Sequence, residues 1–549
     1  MLLKQDASIK KLRGGYYTPK ILADFIINIF KNDTDIKNIL EPSCGDGVFL
    51  ESISENLNFN IIDKVKAVEF FEEEVLKAKN KVGHNKKFNI MTSDFMFEYY
   101  NLLKEKPFNL IVGNPPYIRY QYLTESQREL QSKILVSHGM KSNKLINSWV
   151  CFLVACIQLL NANGKIAFVL PAEILQVAYA EDLRLFLSNN LSKITLITFE
   201  DLIFKEAEQE VIIFIGEKGE KNNKSVIGIK QLKNLKCLSS FDINSIRYQS
   251  IVHSKDKWTK YFTNDIEVEL IEQIRRDNRF TTFNDISIVN VGITTGNNNY
   301  FSVNKDIVNK YNLSNVTLPL IGRSSHAHGI YFTKEDWQYN VNEDKKAFLI
   351  NFPSDIRYDD YPELHKKYIK KGEEEKINKG YKCSIRDRWY IVPSVWIPDA
   401  FILRRNDTFP KFVLNNINAV STDTMHRIKF NEGINQDKVL LAYYNSITFA
   451  FTEISGRSYG GGVLEILPGE VGKVIIPNLE NYNDNLTHRY LELIDSNIRN
   501  NGDIEDVLNI IDKNILVDFL KIDAQICKQF REIWKKLMSR RRRRGRKFK

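Results

Sequence analysis

A chain of 549 residues is too long for one ordinary domain, and two or three are expected, each burying its own core. Hydrophobic residues make up 43% and charged residues 27%, the composition of a soluble globular protein, and the longest apolar run, Trp149 to Leu160, is shorter than the roughly 18 to 20 residues of a membrane span. Of the net charge of +10, eight positive charges lie in Arg540 to Lys549 with no acid among them, leaving +2 for the rest, so a nucleic-acid partner would have to meet a local basic face.

The six cysteines lack CxxC spacing, which argues against a disulfide framework and a zinc site; no metal is expected, and a reducing cytoplasm fits. Met1 to Asp6 carry no signal-peptide apolar core.

In chain order, Arg13-Gly14-Gly15-Tyr16-Tyr17-Thr18-Pro19 opens the first unit. Thr18 is a good N-cap and Pro19 a good first helical residue, and Leu22, Phe25, Ile26, Ile29 and Phe30 follow at helical spacing. Ile36 to Glu41 reads as a strand running into Glu41-Pro42-Ser43-Cys44-Gly45-Asp46-Gly47 and then a helix, a doubly wound nucleotide-binding pattern. A dinucleotide fold would want a third glycine where Leu50 stands, which disfavours a pyrophosphate site. A second strand ends at Glu69-Phe70, where a carboxylate is placed to accept from ribose hydroxyls; a surface strand end is the plainer alternative. The third, Phe88 to Met91, leads to Asp94-Phe95, which reads either as an adenine contact or as a helix N-cap.

The fourth strand, Phe108 to Val112, ends at Gly113-Asn114-Pro115-Pro116-Tyr117. Two prolines fix φ twice and remove two N–H donors, so this loop is stiff and rich in acceptors. The Asn114 side-chain oxygen and the Pro115 carbonyl can each accept from an aromatic NH₂, drawing the nitrogen lone pair out of conjugation, while Tyr117 stacks on the base.

Asn114-Pro115-Pro116-Tyr117 resembles the catalytic motif of gamma-class N6-adenine DNA methyltransferases of type II restriction-modification systems. The same four residues occur in some RNA and protein-glutamine methyltransferases, so the motif gives the reaction type more firmly than the substrate. The resemblance covers roughly residues 13 to 218 and implies a doubly wound, Rossmann-like α/β sheet that binds S-adenosyl-L-methionine, followed by a mixed α+β target-recognition domain. It implies catalytic roles for Asn114, Pro115, Pro116 and Tyr117. It also implies cofactor binding by Tyr17, Thr18, Pro19, Glu41, Pro42, Cys44, Gly45, Gly47, Glu69, Phe70, Asp94, Phe95, Asn114 and Pro116. Tyr117 and Phe204, the latter in Leu202-Ile203-Phe204-Lys205, would stack on a flipped base; Phe204 reads nearly as well as core.

Beyond about residue 245 the pattern changes to short strands, Asn/Gly turns and scattered aromatics. Val291 to Phe301, Arg386-Asp387-Arg388-Trp389-Tyr390, Ser421 to Thr424 and Ser458-Tyr459-Gly460-Gly461-Gly462 resemble recognition-domain elements. Arg386, Arg388, Trp389 and Tyr390 are the candidate DNA contacts, although solvated charge around an aromatic core looks similar. The expected division is a catalytic domain over 1–245, a recognition domain over 246–535 and a disordered basic tail over 536–549. Double-stranded DNA is the expected partner, with a cognate restriction endonuclease as a functional one; no nuclease segment precedes residue 13, so no fused nuclease is expected. An RNA or protein methyltransferase and a non-catalytic DNA-binding subunit stay open as alternatives.

Overall fold

The computed structural model describes residues 17–141, 146–204, 210–219, 224–252, 257–459 and 462–545. The chain divides into two compact units, Met1–Asp265 and Ile266–Lys549.

The first unit is built on one nine-stranded sheet: β1 (Asn38–Glu41), β2 (Lys64–Glu69), β3 (Phe88–Thr92), β4 (Phe108–Gly113), β5 (Leu160–Pro171), β6 (Lys193–Phe199), β7 (Val211–Glu217), β8 (Val226–Leu232) and β9 (Gln249–Ser250). Their spatial order is β3-β2-β1-β4-β5-β7-β6-β8-β9. The first five are parallel; β7 enters antiparallel between β5 and β6, and β9 closes the edge antiparallel to β8. β4 and β5 are nearly continuous apolar runs because helices cover both faces of a parallel sheet. The helices are α1 (Lys20–Asn28), α2 (Val48–Asn56), α3 (Glu72–Val82), α4 (Phe95–Leu102), α5 (Glu125–Ser137), α6 (Ser148–Leu159) and α7 (Glu181–Asn190). Strand order reverses between β1 and β4, and at such a switch point the carboxyl ends of the strands leave a crevice.

The boundary falls at 265/266, not the expected 245/246. Residues 246–265 belong to the first unit because β9 pairs with β8, Tyr248 Oη bonds Thr195 Oγ1 at 2.7 Å, and the Gln249 amide donates to the carbonyls of Tyr261 and Thr263. The first helix also starts one residue late: α1 begins at Lys20 with Pro19 in the N-cap position, so Thr18 does not cap it. Gly14, Gly15 and Tyr16 lie outside the described residues.

The second unit is mixed α+β. In one five-stranded sheet, strands 287–291, 425–430, 400–403 and 412–415 run antiparallel to their neighbours, and 331–332 adds parallel to 412–415. A four-stranded sheet joins 302–303, 348–350, 317–321 and 420–421. Its helices include 363–374, 436–443, 446–455, 484–499, 504–511 and 524–545. Contrary to the expected disordered tail, Ala524–Gly545 is one helix: Phe530 stacks on Phe451 at 5.7 Å and Trp534 meets Phe449 edge-on at 5.4 Å. Its Arg541 is 2% exposed, holds the Glu453 carboxylate at 2.8–3.0 Å and donates to the Gly462 carbonyl. A run of arginines looks like a solvated tail in sequence, yet here one of them anchors a helix through a buried bidentate pair. Residues 546–549 lie outside the described residues. Among the described residues no helix is long and apolar enough to cross a membrane, and no cluster of side chains has the makings of a metal site.

Candidate active site

At the carboxyl ends of β1 to β4 lies a cavity of about 600 Å³. The turn after β1 supplies Glu41, Pro42, Cys44 and Gly45, the end of β2 supplies Glu69 and Phe70, the turn after β3 supplies Asp94 and Phe95, and the loop after β4 supplies Asn114 and Pro116. Tyr17 and Thr18 enter from the chain before α1. Residues from five separate places in the sequence thus share one wall, as their order predicted.

The turn after β1 is shaped by glycine. Gly45 has φ +50° and its N–H donates to Glu69 Oε2 at 2.9 Å. Gly47 does not line the cavity: it has φ +83°, and a Cβ there would lie 2.7 Å from the Ala78 Cα, so its role is to let α2 pack on α3. Pro19 is likewise absent from the wall. Glu69 Oε1 accepts from the Phe71 N–H at 3.0 Å; burial raises this carboxyl above its usual range, and the backbone donors of Phe71, Gly45 and Phe70 pull it back. Glu41 is fully buried with Oε2 lacking a hydrogen-bond partner, and burial, with the charges of Glu69 and Asp46, pushes its carboxyl well up. The Cys44 thiol is also pushed up, by burial and the charges of Glu41, Glu69 and Asp46.

Asp94 takes the N-cap place and faces the cavity as well. It N-caps α4, Oδ1 accepting from the Met96 N–H at 2.9 Å, and it lines the cavity. Phe95 packs on Phe152 with centroids 4.8 Å apart.

In the loop after β4, the Asn114 amide is oriented from both ends: Nδ2 donates to Thr18 Oγ1 at 3.2 Å, and Oδ1 accepts from the Tyr117 hydroxyl at 2.8 Å. That hydroxyl also points at the Val169 carbonyl, 3.0 Å away. Thr18, freed from capping, therefore helps to hold the loop after β4. Ser148, at the start of α6, pins the loop by donating to the Pro116 carbonyl and accepting from the Ile118 N–H. Pro115 and Tyr117 lie behind the wall, Tyr117 only 7% exposed. Phe204 is buried and does not line the cavity, and Lys205 lies outside the described residues.

Several lining residues escaped the sequence reading, among them Ser43, Glu74, Gln127 and Ser148. Glu74 accepts from the Tyr17 hydroxyl at 2.9 Å, tying the entering chain to α3. Only Gln127 carried a readable signal, the Thr-x-x-Gln pattern of a capping box.

In the second unit the sequence elements 291–301, 386–390 and 421–424 come together. Arg386 donates to the carbonyls of Thr294, Thr295 and Trp389; Arg388 donates to those of Ser354 and Ile356. Trp389 and Tyr390 are 9% and 5% exposed in a core with Tyr300, Phe301 and Tyr368. Arg386 and Arg388, both half-buried, thus satisfy loop carbonyls, as guanidinium groups among aromatics can, while Trp389 and Tyr390 pack in the core. Gly292 is required where it stands: a Cβ would lie 1.9 Å from the Thr422 carbonyl oxygen. Asn298 donates to Asp423 at 3.0 Å, joining the two loops. Gly460 and Gly461 lie outside the described residues.

Comparison with known proteins agrees with this division. A family model described as the Eco57I restriction-modification methylase matches residues 25–204, and one for the C-terminal domain of the type II methyltransferase M.Eco57I matches 255–516. The type II methyltransferase M.AccI of Acinetobacter calcoaceticus is 26% identical over 536 residues, 93% of this chain and 94% of that one. M.HincII of Haemophilus influenzae is 28% identical over 309 residues, 54% of this chain and 56% of that one. The structure of the type IIL restriction-modification enzyme MmeI in complex with DNA has a similar fold, with a TM-score of 0.59 and 12% identity over 98% of this chain and 81% of that one. The two family models between them cover most of the chain, and it belongs to the methylases of type II restriction-modification systems related to Eco57I.

Proposed function

We propose that this chain transfers a methyl group from S-adenosylmethionine to the exocyclic N6 of an adenine flipped out of duplex DNA, protecting host DNA against a cognate restriction endonuclease. The observation that carries the proposal is Asn114, lining the acid-rimmed cavity with its amide oriented by Thr18 Oγ1 at one end and the Tyr117 hydroxyl at the other.

S-adenosylmethionine is the methyl donor, and the cavity fits it: room of about 600 Å³, a carboxylate at the end of β2 for ribose hydroxyls, Asp94 for the adenine amino group, and the orphaned Glu41 oxygen among acids that favour a cationic donor. When bound it supplies an activated methyl on a sulfonium, so the protein needs no strong nucleophile of its own. The residues position and expose a lone pair. Asn114 Oδ1 and the Pro115 carbonyl accept the two N–H groups of the amine, favouring a tetrahedral nitrogen. The Tyr117 hydroxyl gives up Asn114 and keeps the Val169 carbonyl, so it stays hydrogen-bonded when the base enters. Tyr117 and Phe204, neither of which lines the donor cavity, are the aromatics we assign to stacking on the base beside it.

Selection of the DNA sequence is assigned to the second unit, with the joined loops 292–299 and 421–424 as its reading edge and Arg386 as their prop. Its work is placed in the cytoplasm, where free cysteines such as Cys44 and Cys383 stay reduced. Nucleoside mass spectrometry of DNA from cells expressing the chain tests the product. N6-methyladenine is expected; N4-methylcytosine in its place would overturn the assignment.

A further inference from the structure

Gln127 stands at the third position of α5 and does two jobs with one amide. Its Oε1 accepts from the Thr124 N–H at 3.1 Å while Thr124 Oγ1 accepts from the Gln127 N–H at 3.3 Å, a complete capping box. That spends the oxygen and turns the NH₂ outward, where it donates to Asp94 Oδ2 at 2.7 Å. The roles cannot be exchanged: a flipped amide would set its oxygen against the Asp94 carboxylate and its NH₂ against an N–H. With Oδ1 held by the Met96 N–H, both Asp94 oxygens are fixed, and each keeps acceptor capacity for another donor.

We infer that Gln127 is a positioning residue for the cofactor: it aims the Asp94 carboxylate at the adenine amino group and locks the chain leaving the catalytic loop around that end of the cavity. The inference rests on the reading of Asp94 as the adenine acceptor. The second half follows from connectivity, since Ile118, Tyr122, Leu123 and Thr124, between the catalytic loop and α5, all line the cavity. One amide thus joins the cofactor's adenine end to the segment that emerges from Asn114 to Tyr117.

The residue type itself points the same way. A capping box is served equally by glutamate, which the positive end of the helix would favour further. A glutamate here would put its carboxylate against that of Asp94. The amide is needed for Asp94, not for the helix.

This gives a test in which folding and positioning separate. Purified Gln127→Glu, Gln127→Ala and Asp94→Ala variants are titrated calorimetrically with S-adenosylmethionine and with S-adenosylhomocysteine, alongside melting curves. Gln127→Glu is expected to stay folded, melting within a few degrees of the parent because the helix-terminus gain and the repulsion from Asp94 oppose each other, yet to bind both ligands on the order of tenfold more weakly near pH 8, with affinity returning as pH falls and the introduced carboxyl takes up a proton. In turnover its KM for the cofactor rises while kcat stays near the parent value. Gln127→Ala should bind several-fold more weakly at every pH. If Asp94→Ala weakens binding but Gln127→Glu binds like the parent, the positioning role is wrong. If Asp94→Ala itself binds normally, the adenine reading has failed, whatever Gln127 does.

Discussion

A fully buried carboxyl that feels the charges of Glu69 and Asp46 and has one oxygen without a partner, Glu41 is costly to the empty protein and useful to a cationic ligand. Its folded-state pKa is raised above the unfolded value, so the stability it contributes is fully present below the ordinary carboxylate range and is lost as pH rises toward the raised value. Glu41→Gln is therefore expected to stabilise the cofactor-free protein by about 1–2 kcal/mol near pH 8, roughly 2–6 °C in melting temperature, with the gain shrinking on acidification. The same variant should bind S-adenosylmethionine more weakly. Scanning calorimetry across pH checks the first point; a variant less stable than the parent at pH 8 would mean that the carboxylate has a partner the account misses.

At the scale of elements, the loops of the second unit depend on Arg386, which ties the Thr294 and Thr295 carbonyls to its own strand of chain and lies over the Phe301 ring. Arg386→Ala should cost about 2–3 kcal/mol of that unit's stability, the order expected for charge-assisted bonds to carbonyls left buried. Differential scanning calorimetry reads it. Unchanged melting with a selective loss of DNA affinity would return Arg386 to the surface role that its sequence context suggested. That context shows the limit of local patterns: Arg386 to Tyr390 has the composition of a groove-reading stripe, and only the packing of Tyr300, Phe301 and Tyr368 turns it into core. Thr18-Pro19 fails by a smaller margin. It has the form of a helix start, but the Thr18 hydroxyl is taken by Asn114, a contact across 96 residues that no local signal carries.

At the scale of the whole molecule, the strand ends were legible because each carried its own punctuation: glycines after β1, an acid ending β2, an acid and aromatic after β3, two prolines after β4. Their order along the sheet then brings them to one cavity, since β1 and β4 flank the switch point. What stayed hidden were contacts between distant residues of plain type. Ser148 and Gln127 look like ordinary helix-start residues, and the arginine run of the last helix gives no hint that Arg541 finds the buried Glu453. The two-unit division was readable from composition, but its boundary was displaced because Tyr248 and Gln249 complete the edge of the first sheet.

The central claim is that Asn114 acts on the amine while the rest of the cavity binds the donor. Asn114→Ala, mixed with duplex DNA and methyl-labelled S-adenosylmethionine in single turnover, isolates that step when cofactor affinity is measured on the same preparation. The account predicts label appearing as N6-methyladenine with the parent protein and a loss of at least roughly 10²-fold in rate with the variant, at cofactor affinity within a few-fold of the parent. Label transferred to adenine at the parent rate by Asn114→Ala would contradict it.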